Sequence, residues 1–121
     1  MSRRVLVADD EPNIVTALEF VLRRAGYEVA VASTGEEALR QLEAQVPDLV
    51  LLDVMMPELS GYDVCRRIRE RPEWRAIKVV MLSARGREPE TRQGMEAGAD
   101  LYVVKPFSNA ELLCRIAALL R

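Results

Sequence analysis

Histidine is missing from all 121 residues. Its absence excludes an imidazole metal ligand, a Ser-His-Asp or Cys-His catalytic couple, and a phosphohistidine formed on these residues. Any chemistry must therefore run on carboxylates, hydroxyls, amines and the backbone. Cysteine is scarce. Cys65 and Cys114 lie far apart in helix-like segments and read as buried free thiols of a reducing cytosol. An excess of positive charge is also lacking: 17 basic residues face 19 acidic ones, for a net charge of −2. Nothing therefore marks a nucleic-acid or membrane-surface binder. No apolar run approaches the ~20 residues of a membrane span, and Met1-Ser2-Arg3-Arg4 leads straight into a strand-like run instead of a signal peptide. Internal repeats, low-complexity tracts and linkers are absent too. The expectation is one cytoplasmic domain over residues 1–121, able to bury roughly two-thirds of its surface without disulfide or metal staples.

Five short apolar runs are present: Val5–Ala8, Val29–Ala32, Leu49–Leu52, Val79–Leu82 and Leu101–Val104. Most are continuous instead of alternating, as in strands covered on both faces of a parallel sheet. Stretches of 3.6-residue periodicity separate them. Ile14, Leu18, Val21, Leu22 and Ala25 share one helical face, and Leu112, Ile116, Leu119 and Leu120 share another. Pro12 and Pro89 suit first helical turns, and Gly26 suits a helix C-terminus. Thr34 with Glu37, and Ser108 with Glu111, have capping-box spacing. The string reads as (βα)₅: a parallel five-stranded α/β sheet with right-handed crossovers and helices on both faces. The fourth helix has a thin apolar face, Met95, Ala97 and Ala99, and carries Gly94 near its middle. It is expected to be the most labile element.

Unusual polar residues follow four of the five runs. Asp9 and Asp10 follow the first, Asp53 the third, Ser83 the fourth and Lys105 the fifth. Parallel α/β sheets bind ligands outside the carboxyl ends of their strands. With strand order 2-1-3-4-5, the first and third strands are neighbours and three carboxylates meet on one rim. Their mutual repulsion calls for a cation, and an all-oxygen ligand set favours Mg²⁺, with Mn²⁺ as a substitute. Mg²⁺ keeps waters and accepts phosphate oxygens, so the rim anticipates a phosphoryl group that Lys105 and Ser83 could bond. Each residue alone has a plainer reading, as a helix cap, a turn serine or a solvated lysine. Only their shared position at strand ends favours a site.

The stretches Val5-Leu6-Val7-Ala8-Asp9-Asp10-Glu11-Pro12, Pro47 through Pro57, Gly98-Ala99-Asp100 and Lys105-Pro106-Phe107 together resemble a response-regulator receiver domain of bacterial two-component signalling. The resemblance runs over about residues 3 to 120 and implies a flavodoxin-like three-layer sandwich. It implies that Asp53 is the phosphoacceptor. Asp9, Asp10, Asp53 and the Met55 backbone carbonyl would hold Mg²⁺, Lys105 would pair with the phosphoryl group, and Ser83 and Tyr102 would form the switch. It also implies a cis peptide between Lys105 and Pro106. Asn13, Ile14, Ala17, Leu18, Pro106 and Phe107 resemble a kinase-docking face, although ordinary packing accounts for the apolar ones equally well. Met55 and Arg85 would flank the site, and Trp74 would cover the loop before the fourth strand.

The implied partners are a sensor histidine kinase or phosphotransfer protein, and an output domain or downstream protein, with any output domain lying outside this chain. The implied activity is a switch, not an enzyme beyond its own aspartyl phosphorylation and dephosphorylation. Receivers of DNA-binding regulators pair through the fourth helix, fifth strand and fifth helix. Glu111 and Arg115 fit that pattern, whereas Leu101 and Thr91 depart from it. Three other readings compete. A Mg²⁺-dependent phosphohydrolase would carry a second acid two residues beyond Asp53, where Met55 stands. A flavin carrier would need a phosphate-cradling loop after the first strand, and a pseudo-receiver would have no use for the acids.

Overall fold

A computed structural model describes residues 2–84 and 88–121; Arg85 lies outside them. Strands and helices alternate along the chain: β1 (Arg4–Ala8), α1 (Pro12–Arg24), β2 (Glu28–Ala32), α2 (Gly35–Ala44), β3 (Leu49–Asp53), α3 (Gly61–Glu70), β4 (Lys78–Ser83), α4 (Glu88–Ala97), β5 (Leu101–Val104) and α5 (Asn109–Leu119), with a 3₁₀ turn at Pro72–Trp74. Each apolar run becomes a strand, and the first four are extended by one or two polar residues. All strand pairs are parallel, in the order β2-β1-β3-β4-β5.

The continuous apolar runs have a direct cause. Successive strand residues face opposite sides, and here both sides are covered. Leu6, Val50, Leu52, Val79 and Met81 pack into one core layer with Ala38, Leu42, Val64, Cys65 and Ile68 of α2 and α3. Val5, Val7, Leu49, Leu51, Val80 and Leu82 pack into the other with Leu18 and Leu22 of α1 and Leu112 and Ile116 of α5. All five residues of β3 are buried. The accessible surface is 6543 Å², against about 6,600 Å² from area scaling, so the chain is as compact as is usual for its mass.

Helix ends follow the expected punctuation with one revision. Pro12 opens α1, and Gly26 at φ 97° closes it. The N–H groups of Gly26 and Tyr27 donate to the carbonyls of Arg23 and Leu22, a Schellman closure. The hydroxyls of Thr34 and Ser108 accept the N–H groups of Glu37 and Glu111. Neither pair closes the reciprocal half of the box, however: Glu37 accepts the Ser33 hydroxyl and Glu111 turns its carboxylate to Arg115. Among the described residues, the complete reciprocal box is at α3, between Ser60 and Asp63. The cysteine expectation also needs correction. Cys65 is buried, but Cys114 is exposed, because α5 turns Leu112 and Ile116 to the core and leaves the position midway between them on the outer face.

Trp74 is 3% exposed. It sits in the turn before β4, with the Arg71 guanidinium 3.9 Å above its ring. No described helix is long and apolar enough to cross a membrane.

Candidate functional site

Strand register builds the site. Ala8 pairs with Leu52, so the next step along both strands brings Asp9 beside Asp53. Ser83 pairs with Val104, which places Lys105 one step beyond Ser83. Asp9 and Asp53 share the side of the sheet that faces α1 and α5, and Lys105 reaches them from β5. Its Nζ lies 3.0 Å from Glu11 Oε1, 3.1 Å from Asp9 Oδ2 and 3.4 Å from Asp53 Oδ1. One oxygen from each of Asp9, Asp10, Glu11 and Asp53 falls within 4.8 Å of the others. Four carboxylates against one ammonium leave a surplus of negative charge. All donors are oxygen, and two of the acids, Asp10 and Glu11, open to solvent. Such a set fits a hydrated, hard divalent cation such as Mg²⁺.

Glu11 was missed as a member of this set. In the sequence it looks like a helix-start acid; only the fold brings Lys105 to it from 94 residues away. Gly61 was missed as well. A Cβ there would lie 2.4 Å from the Asp53 carbonyl oxygen, so glycine lets α3 close against the end of β3. Its N–H donates to Val54, which shapes the loop beside the acids. The Met55 N–H reaches toward Asp53 Oδ1 at 3.4 Å, while the Met55 side chain is exposed.

Burial dominates the electrostatics at Asp53. Burial, and after it the neighbouring Asp9 charge, raise the carboxyl from 3.8 to about 7. Lys105 and the Met55 N–H pull the other way. Lys105 is disfavoured as a cation by burial, yet hydrogen bonds to Glu11 and Asp9 and the Asp53 field outweigh this and hold it above its ordinary value. It remains charged at any physiological pH.

The switch candidates share the opposite side of the sheet. Ser83 is fully buried. Tyr102 pairs with Met81, one diagonal step from Ser83, and is half-buried against the α3/α4 core layer. A Cβ on Gly94 of α4 would lie 2.8 Å from the Tyr102 ring. The glycine that weakens α4 as a helix is therefore the seat of this tyrosine.

The Lys105–Pro106 peptide is cis. Asn13 and Ala17 are exposed, and Ile14 and Phe107 half-buried. They line a groove of about 520 Å³ between α1 and the β5–α5 loop, whose floor is Leu18, a core residue at 1% exposure. Two motif acids take no part in the cluster. Asp48 accepts the Arg4 N–H at 2.8 Å and so pins β1. Asp100 accepts the Val79 N–H at 2.8 Å and pairs with Arg69 at 2.9 Å. Glu111 and Arg115 form an i,i+4 pair within α5.

A profile of the response regulator receiver domain matches residues 5–117. The chain is 46% identical over 121 residues, its whole length and 50% of the relative's, to the alkaline phosphatase synthesis transcriptional regulatory protein PhoP of Bacillus subtilis. It spans about half the length of the curated relatives it matches. Among solved structures it resembles a response regulator from Chloroflexus aurantiacus, with TM-score 0.94 and 40% identity over 99% of this chain and 98% of that one. It also resembles the receiver domain of sensor histidine kinase PA1611 from Pseudomonas aeruginosa, which has a magnesium ion coordinated in its active-site cleft. There the TM-score is 0.91 and the identity 31%, over 99% of this chain and 98% of that one. Sequence and fold agree from end to end, and the chain belongs to the response regulator receiver domain family.

Proposed function

We propose that the chain, read as one receiver unit over its whole length, is switched by phosphorylation of Asp53. The observation that carries this reading is the pairing of two buried carboxylates, Asp9 and Asp53, with Lys105 beside the exposed acids Asp10 and Glu11. A carboxylate oxygen of Asp53 attacks phosphorus in line, forming an O–P bond as the bond to the donor's leaving group breaks. With no histidine in the chain, a phosphohistidine donor is supplied by a partner, a histidine kinase or phosphotransfer protein. Asp9, Asp10, Asp53 and the Met55 carbonyl would hold Mg²⁺, which supplies positive charge to the transferring oxygens. Lys105 supplies the second positive charge, and Ala84 beside Ser83 leaves access to the acceptor.

The new dianion attracts the Ser83 hydroxyl. Inward movement of Ser83 frees space for Tyr102, whose ring already rests on Gly94, so the change reaches α4 and the α4–β5–α5 face. Asn13, Ile14, Ala17 and Phe107 present the groove to the donor protein. The output is a further domain or a downstream protein, as the transcriptional regulators among the relatives exemplify, and any self-pairing uses the α4–β5–α5 face.

Incubation with acetyl phosphate and Mg²⁺ followed by intact-mass spectrometry tests the reading. One hydroxylamine-sensitive phosphoryl adduct is expected, lost in Asp53→Asn and without magnesium. An adduct that survives in Asp53→Asn, or none in the wild type, refutes the assignment.

A further inference from the structure

We propose that Glu11 is a positioning residue for Lys105: it holds the ammonium in the resting site and releases it when an anion binds beside Asp53. The inference rests on the phosphoacceptor reading of Asp53 and adds to it the residue that governs access to Lys105. An ammonium has three N–H donors, and Lys105, 12% exposed, spends them on three carboxylates. The shortest contact, 3.0 Å, goes to Glu11, and the longest, 3.4 Å, goes to Asp53.

An anion beside Asp53 brings new acceptor oxygens to a lysine with no spare donor, so one contact must yield. The cost of yielding is set by what each carboxylate finds next. Asp9 and Asp53 are 1% and 3% exposed and would be left with little water. Asp9 is further tied by the Glu11 N–H at 2.9 Å. The Glu11 side chain is 57% exposed and recovers hydration on release. It stands at the N-cap of α1 but makes no side-chain cap bond there, so its departure breaks no capping hydrogen bond. Glu11 is the contact that yields.

The chain has two lysines, Lys78 and Lys105, so ¹⁵N-lysine labelling resolves the ammonium of interest beside an internal reference. Glu11→Gln removes the charge, whereas Glu11→Asp keeps it but is too short to reach Nζ. Both variants are expected to shift the Lys105 ammonium signal and speed its exchange with water, leaving Lys78 unmoved. With magnesium saturating for each protein, both should bind beryllofluoride about three- to fivefold more tightly than wild type. An unmoved Lys105 signal in both variants overturns the proposal. So does wild-type beryllofluoride affinity in Glu11→Asp, which would leave only a general charge effect. If wild type itself binds no beryllofluoride while the variants still shift Lys105, the Asp53 reading fails with the release step, and the resting contact alone stands.

Discussion

Asp53 is a carboxyl whose surroundings oppose its charge, burial first and Asp9 second. Because its folded value is raised from 3.8 to about 7, the folded protein binds more protons than the unfolded chain between those values. Its contribution to stability is complete below pH 3.8 and is lost as pH rises through 7. Asp53→Asn should therefore stabilise the metal-free protein by about 2–4 kcal/mol at pH 8, with the gain fading toward pH 4. Urea unfolding with a chelator at the two pH values measures this; an equal gain at both contradicts it. Gly94 gives a second test. Glycine to alanine in a helix normally adds about 1 kcal/mol, but here the new methyl meets the Tyr102 ring. Gly94→Ala should add nothing or destabilise, and should recover the helix gain in a Tyr102→Ala background; additivity in a double-mutant cycle would disprove the contact. At this scale much was legible. Asp9, Asp10, Asp53, Ser83 and Lys105 stand out because polar residues at the ends of buried runs are anomalous. Glu11, Gly61 and the role of Gly94 were not legible, since each depends on a contact with a distant segment.

The elements differ in how firmly they are held. α1 has Pro12 at its start, a Schellman closure at its end and Leu18 and Leu22 buried beneath it. α4 buries Gly94 and Ala97 and leaves Met95 exposed. One visible tie is the Tyr62 hydroxyl donating to the Glu90 carbonyl at 3.1 Å. Amide hydrogen exchange should find α4 less protected than α1. Tyr62→Phe should lower α4 protection by a further ~1 kcal/mol while leaving α1 unchanged; equal protection of the two helices would contradict the thin-face argument. Strand positions and helix starts were readable because they follow local rules of periodicity and capping. The Ser60–Asp63 box of α3 was passed over because aspartate fills the place where the glutamate or glutamine of the usual pattern would stand.

Across the whole molecule, the surplus charge of four acids against one lysine makes the fold responsive to cations. Magnesium in hundredfold excess over its dissociation constant should stabilise the protein by about 2.7 kcal/mol. Asp10→Asn should lose much of that gain. Calorimetry with and without magnesium checks it, and an unchanged melting temperature would remove the cation from the account. The chain alone was enough to establish a parallel α/β sheet, its layer pattern and the types of residue available for chemistry, because burial on both faces and helix punctuation are written in local spacing. The cluster itself was decided by parallel register, which sets Asp9 beside Asp53 and carries Lys105 to Glu11 across 94 residues. Distances between side chains from separate strands follow from how the sheet is assembled, and no local spacing encodes them.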